Sequence, residues 1–395
     1  MKILTRGIYL VVFCLPLYLV RFNIFNIPTT VLELMIYMLF LVWLIKGFDF
    51  KEFRKTIKEN RLLFVAVFLI LLGVSLATLH SWNPRLSAGI WKAWFVDPVL
   101  FFLVFVSIIK SSKEIKNIFY SLVFSGFFVA VVSLTYLFLG RFNSEGRLQG
   151  FYNSPNYLAM YLAPILIIVL GYYFFASGLK TRPKTTSQNI FIVFNCLFLI
   201  LAILFTKSFG AWIGILGAVG FGLILWSFKE KKKKTAIIII VLLAILCVSI
   251  YFIKFNSLQG KLSINSRVEI WQRALDAVIM YPVIGIGPGT FEDFFPQYPL
   301  WGVPQPHNLY LAFLLQTGVF GFIGFILILI WFFKTGIKNQ NLEITNIILM
   351  SVMVYVLIHG LVDTTYWKND LSVMFWIFVG LMVILKESNY LKIEN

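Results

Sequence analysis

What most constrains this chain is a succession of apolar runs, each close to 20 residues long, repeated along its length. Charges, prolines and asparagines bound them near residues 7–22, 28–46, 62–79, 90–109, 117–139 and 156–177. Six more lie near 188–206, 209–228, 235–253, 307–333, 344–361 and 371–386. A helix of about 20 apolar residues matches the hydrocarbon thickness of a bilayer, roughly 30 Å at 1.5 Å per residue. Hydrocarbon offers no water to backbone N–H and C=O groups, so a crossing segment is a helix or a barrel strand. These runs lack the alternation of barrel strands. With 60% hydrophobic and 13% charged residues, a soluble fold of 395 residues has too little interior for the apolar surplus. The expectation is an all-α polytopic membrane protein, a single integral membrane domain over residues 1–395. It would have about 12 transmembrane helices and one large extracytoplasmic loop, residues 254–306, between helices 9 and 10.

A net charge of +17 in a soluble chain would suggest nucleic acid, but in a membrane chain basic residues first report orientation. With the N-terminus inside, 23 of the 34 Lys and Arg fall in inner segments, including the run Lys231 to Lys234, and 11 fall outside. Both termini are expected to be cytoplasmic, and nucleic acid is not an expected partner. Lys2 and Arg6 ahead of an apolar stretch resemble a signal peptide. No small-residue cleavage site follows and Arg21 lies just beyond, so a retained first helix is expected. Cys14, Cys196 and Cys247 sit in apolar runs with no CxxC pair, which argues against a disulfide framework or a cysteine metal site.

Under this topology His80, His307 and His359 all lie at the outer face, together with Asp97, Glu145, Glu269, Asp276, Glu292, Asp293, Asp363 and Asp370. Titratable chemistry is thus concentrated on one side. Glu33 is the one carboxylate well inside a span, and the sequence shows no partner for it.

The long outer segment opens with a readable helix over 266–281. Ser266 and Glu269 have capping-box spacing, Trp271, Ala274, Leu275 and Val278 form an apolar stripe, and Tyr281-Pro282 stops it. Arg267 and Arg273 occupy the other side. Gly285-Ile286-Gly287-Pro288-Gly289 reads as a tight turn, because no strand or βαβ unit surrounds it to make a dinucleotide site. Gly318, Gly321 and Gly324 allow close helix packing. Pro306 marks a helix start at His307, where the positive dipole end favours the neutral imidazole that a general base requires.

Several blocks, taken in order, resemble the O-antigen ligase and polymerase superfamily over roughly residues 140–385. They are Gly146-Arg147-Leu148-Gln149-Gly150 leading to Pro155-Asn156-Tyr157, then Ser266-Arg267 through Trp271, Pro282, Gly285 to Phe291 and Pro306-His307-Asn308. Leu311, Gly318 to Gly321, His359-Gly360-Leu361-Val362-Asp363 and Phe375-Trp376 complete the series. The resemblance implies a twelve-helix enzyme of the bacterial inner (cytoplasmic) membrane with its active site on the extracytoplasmic face. Its implied partners are an undecaprenyl-diphosphate-linked glycan donor, a glycan or lipid-core acceptor, and membrane lipids, with no cofactor and no metal. The family's loop arginine falls on Arg267 and its catalytic histidine on His307. A second family arginine commonly follows Thr-x-Ser, but Thr206-Lys207-Ser208 is followed here by Phe209, leaving Lys207 as the cation at that place.

The residues are chemically suited to that reaction. A lipid diphosphate is a concentrated negative charge and a leaving group, and arginine can engage phosphate oxygens bidentately. Arg147, Lys207, Arg267 and Arg273 are the candidates to bind it. His307 is the candidate base, with Asn308, His359 and Asp363 supporting. Direct inverting displacement is expected, and the histidines and carboxylates show no metal-ligand spacing, Glu292-Asp293 being the remaining oxygen-donor pair. Ligase and polymerase share this donor chemistry and stay open as alternatives. A polytopic transporter is the rival of another class, although no duplication between halves supports it, and a non-catalytic scaffold is a third reading.

Overall fold

The computed structural model describes residues 2–175, 186–242, 258–294, 303–338 and 343–393. They form α1 (Lys2–Phe13), β1 (Arg21–Ile24), β2 (Ile27–Thr30), α2 (Val31–Lys46), α3 (Phe50–Glu59), α4 (Arg61–Leu79), α5 (Pro84–Trp91) and α6 (Asp97–Ile108). These are followed by α7 (Ser112–Phe138), α8 (Pro155–Phe175), α9 (Thr186–Thr206), α10 (Phe209–Lys229), α11 (Leu258–Met280), α12 (Leu309–Lys338), α13 (Ile344–His359) and α14 (Asn369–Ile393). Residues 233–242 are also helical.

Seven helices are long and apolar enough to cross a membrane: Arg61–Leu79, Pro84–Ile108, Ser112–Phe138, Pro155–Tyr173, Phe209–Lys229, Leu309–Lys338 and Asn369–Glu387. The pair α2 and α3, bent by 114°, would make an eighth, while Ile190–Thr206 and Ile344–His359 are apolar but shorter. The expected twelve is therefore not reached among the described residues. Much of the expected ninth span, 235–253, and parts of the expected 254–306 loop lie outside them.

The first expected span is also shorter than its apolar run. Pro16 cannot donate a helical hydrogen bond, and the α-helix ends at Phe13, followed by a 3₁₀ turn over Leu15–Leu19. A small antiparallel hairpin comes next, pairing Arg21 with Thr30 through Ile24 with Ile27. Its two turn residues, Phe25 and Asn26, both have positive φ (47° and 64°), the geometry that matches strand twist in a two-residue loop. Thr30 then caps α2 by accepting from Glu33 N at 3.2 Å.

The fourth span runs from Pro84 to Ile108 through a π-helical turn at Lys92–Val96. Pro98 has no N–H for the carbonyl of Trp94 four residues before it; the Tyr366 hydroxyl donates to that carbonyl instead, at 2.7 Å. α4 and α12 pack through glycine. A Cβ on Gly73 would lie 2.4 Å from Gly321 N, and one on Gly324 would lie 2.7 Å from Ala66 O. α12 itself breaks at Gly318 (φ 66°, ψ −171°) against the 283–286 turn, where Val319 N donates to Val283 O at 3.1 Å and Ile286 N to Leu315 O at 2.8 Å. α14 is the most enclosed span, 94% buried within its apolar window, whereas α10 is 28% buried.

α11 begins at Leu258, so Ser266 and Glu269 lie inside it and their spacing does not mark its start. Its end at Met280, just before Tyr281-Pro282, is as expected. Ile270, Ala274 and Ala277 form its buried stripe, against Ile286, Phe291 and Leu315; Leu275 is exposed.

Candidate active site

One end of the bundle gathers the hairpin, the 84–92 helix, the 141–154 loop, the α9–α10 junction, the 281–294 turn and residues 360–370. Lys92 Nζ donates to Pro28 O, Ser87 Oγ to Pro288 O (both 2.8 Å), Leu148 N to Phe205 O (2.9 Å) and Leu309 N to Gly360 O (2.7 Å). This is the end that charge asymmetry leads one to expect on the extracytoplasmic side.

His307 sits here two residues ahead of the first helical residue. Asn308 is the helix cap, its Oδ1 accepting from Tyr310 N and Leu311 N at 3.0 Å each. His307 is thus outside the helix, not its first residue, and adopts a left-handed conformation with φ 46°. That conformation is costly for a residue with a Cβ and is held by the two residues that follow. Asn308 Nδ2 donates to Leu361 O at 3.0 Å, and Leu309 N to Gly360 O. The effect is to aim the imidazole at the turn after α13.

There, His307 Nδ1 meets Asp363 Oδ1 at 3.2 Å. Asp363 is 3% exposed. The same oxygen accepts from Thr364 N at 2.9 Å, and Oδ2 accepts from Asn156 Nδ2 at 2.7 Å. Burial pushes the Asp363 pKa up, but His307, His359 and the Thr364 N–H outweigh it and hold the carboxyl well below the usual carboxylate range. An ionised Asp363 can only accept, so Nδ1 of His307 carries a proton, and in the neutral imidazole Nε2 is the ring's acceptor.

Asn156 extends the line. Its Oδ1 accepts from Arg147 Nη2 at 2.5 Å, while Arg147 Nε donates to Thr206 O at 2.8 Å and Nη1 pairs with Glu145 at 3.0 Å. The guanidinium is thereby fixed between the 141–154 loop and the end of α9. Lys207 lies beside the same loop. Its backbone is left-handed (φ 50°), and its Nζ is 3.9 Å from where a Cβ on Gly146 would stand. It is exposed, and among the described residues no carboxylate lies within 4.0 Å of its ammonium. Phe209, where the resemblance would have an arginine, is 42% exposed. From α11, Arg267 Nε donates to Val362 O at 3.1 Å, the residue next to Asp363.

The structure thus brings together His307, Asp363, Arg147, Lys207 and Arg267, with Asn308 as a backbone clamp. It does not bring Arg273 with them. Arg273 lies six residues beyond Arg267, on another face of α11, and pairs with Glu269 at 2.9 Å. His359, expected as a supporting group, is 1% exposed, its Nδ1 against Tyr355 OH at 2.8 Å, with its ring packed where a Cβ on Gly210 would clash. It supports Asp363 from behind, its carbonyl accepting from Asp363 N at 3.0 Å.

Asn156 was missed by residue-type reasoning; its only signal was its place in the Pro155-Asn156-Tyr157 block. The partner of Glu33 was invisible too. Lys92 Nζ pairs with it at 2.7 Å and Asn369 Nδ2 donates to it at 3.1 Å. Among the described residues no three His, Cys, Asp or Glu side chains converge as a metal site.

The fold is that of a polytopic helical membrane protein with a basic, histidine-bearing site at one end of its bundle. Residues 194–326 match the family model of the O-antigen ligases, which bears out the resemblance over that segment. The matched segment holds Lys207, Arg267, His307 and Asn308. A Haemophilus influenzae protein described as an uncharacterized protein is 24% identical over 234 residues, covering 50% of this chain and 54% of that protein. The chain therefore spans about half the length of the curated relative it matches.

Proposed function

We propose that the protein is a bacterial membrane glycan transferase. It would move a glycan from an undecaprenyl-diphosphate carrier to a hydroxyl of an acceptor, either a lipid core or another glycan. The observation that carries this reading is the contact of His307 Nδ1 with the buried Asp363 carboxylate, in line with Asn156 and Arg147. Nε2 of His307 takes the proton of the acceptor hydroxyl as its oxygen attacks the anomeric carbon. The bond from that carbon to the diphosphate oxygen breaks, the electron pair leaves with the diphosphate, and the configuration inverts. Lys207, Arg147 and Arg267 supply the cationic surroundings for the charge on the leaving group. Asp363 fixes the tautomer and stabilises the imidazolium that forms.

The test is transfer by the purified, reconstituted full-length chain supplied with a lipid-diphosphate-linked glycan and an acceptor. Wild type should form product and His307→Ala should not, while remaining folded in the membrane fraction; undiminished transfer by the variant would overturn the base assignment. One glycan per acceptor would identify a ligase and a ladder of repeats a polymerase. Movement of donor across the bilayer without product would favour the transporter.

A further inference from the structure

At the far end of the bundle lies a cavity of about 840 Å³ that the transfer reaction does not use. α14 starts beside the site at Asn369 and reaches this cavity with Lys386 and Glu387, about 17 residues or roughly 26 Å further along. The cavity is roofed by α3, which leaves α2 at 114° and so runs across the bundle end rather than through it. α3 is amphipathic, with Phe50 65% exposed beside Lys51, Arg54 and Lys58, the composition of a helix lying in a membrane interface. The cavity thus opens at headgroup level.

Its charges are balanced. Lys46, Lys55, Lys110 and Lys386 line it together with Asp49, Glu52, Glu59 and Glu387. Lys110 pairs with Glu387 Oε2 at 3.2 Å, and Lys386 donates to Asn60 Oδ1 at 3.0 Å and to the Glu59 carbonyl. Lys46 and Lys55 have no carboxylate within 4.0 Å among the described residues. On the acidic side, the second oxygen of Glu387, Oε1, is buried and has no hydrogen-bond partner among the described residues. Leaving such an acceptor unmatched is costly, and a donor from a ligand would satisfy it.

We infer that this cavity binds the headgroup of a zwitterionic, amine-bearing phospholipid, with the ammonium on Glu387 and the phosphate on Lys46 and Lys55. A purely anionic headgroup would meet as many repelling as attracting charges. A trimethylammonium headgroup carries no N–H to give Glu387 Oε1, whereas a primary ammonium carries three.

The full-length protein would be reconstituted in vesicles of equal parts phosphatidylethanolamine, phosphatidylcholine and phosphatidylglycerol, extracted in mild detergent, and its retained lipid read by native mass spectrometry. Wild type should retain phosphatidylethanolamine over the other two. Glu387→Gln should lower that preference by about tenfold, as expected for loss of a charge-assisted hydrogen bond. Lys110→Gln breaks the same ion pair but keeps the Glu387 carboxylate, so it should retain the preference. Equal or greater retention of phosphatidylglycerol or phosphatidylcholine, no retained lipid, or an unchanged preference in Glu387→Gln would each overturn the assignment. So would a preference lost equally in both variants, which would mark the pair as structural.

Discussion

Asp363 is the residue on which the site turns, because a single buried carboxylate organises four neighbours. One oxygen takes His307 and the Thr364 N–H and the other takes Asn156, which is itself held by Arg147. Asp363→Asn keeps the shape but offers an amide that can donate to Nδ1, so the ring no longer needs the tautomer that frees Nε2. Transfer rate should fall by about 10²–10⁴-fold with little change in acceptor KM, measured by steady-state kinetics on reconstituted protein. The pH dependence follows from the depressed pKa. A carboxyl whose folded pKa is below its unfolded value of about 3.9 contributes stability that is fully present above that value. The contribution is lost only as pH falls through the lower folded pKa. Thermal stability should therefore be lost more steeply below about pH 4 in wild type than in Asp363→Asn; equal acid limbs in the two would mean that the carboxyl titrates normally.

At the scale of elements, the interruptions of helices carry more information than their lengths. Tyr366 spans one of them: its hydroxyl serves the Trp94 carbonyl that Pro98 leaves unmatched, and accepts from Trp376 Nε1 at 3.2 Å. Tyr366→Phe removes both at once and should cost about 1–3 kcal/mol of stability by denaturant unfolding in detergent. Most helices of the fold were legible as apolar runs, and His307 and Arg267 were legible from the blocks around them. The hairpin at 21–30 was hidden because apolar residues continue past Pro16, and hydropathy does not register a missing N–H. α11 was dated too late because a Ser-x-x-Glu spacing occurs inside helices as readily as at their starts. Asn156 escaped because an uncharged amide carries no chemical signal and its carboxylate partner lies 207 residues away.

On the scale of the whole molecule, the distribution of basic residues makes a direct prediction about sidedness. In a chain whose Cys14, Cys196 and Cys247 are replaced by serine, Arg141→Cys should react with a membrane-impermeant maleimide in intact cells. Lys233→Cys should react only after permeabilisation, and the reverse pattern would invert the topology. The enclosure of α14 has a consequence of another kind. A bilayer-facing helix behaves like a barrel stave, apolar on its outer side because lipid is there, and it tolerates exchange of one apolar side chain for another. α14, 94% buried, is instead the axle of the assembly, apolar all round because protein is there. Hydropathy alone marks both as spans. Substitution scanning should separate them: sensitivity to changes of side-chain volume should follow one stripe on α10 and the full circumference on α14.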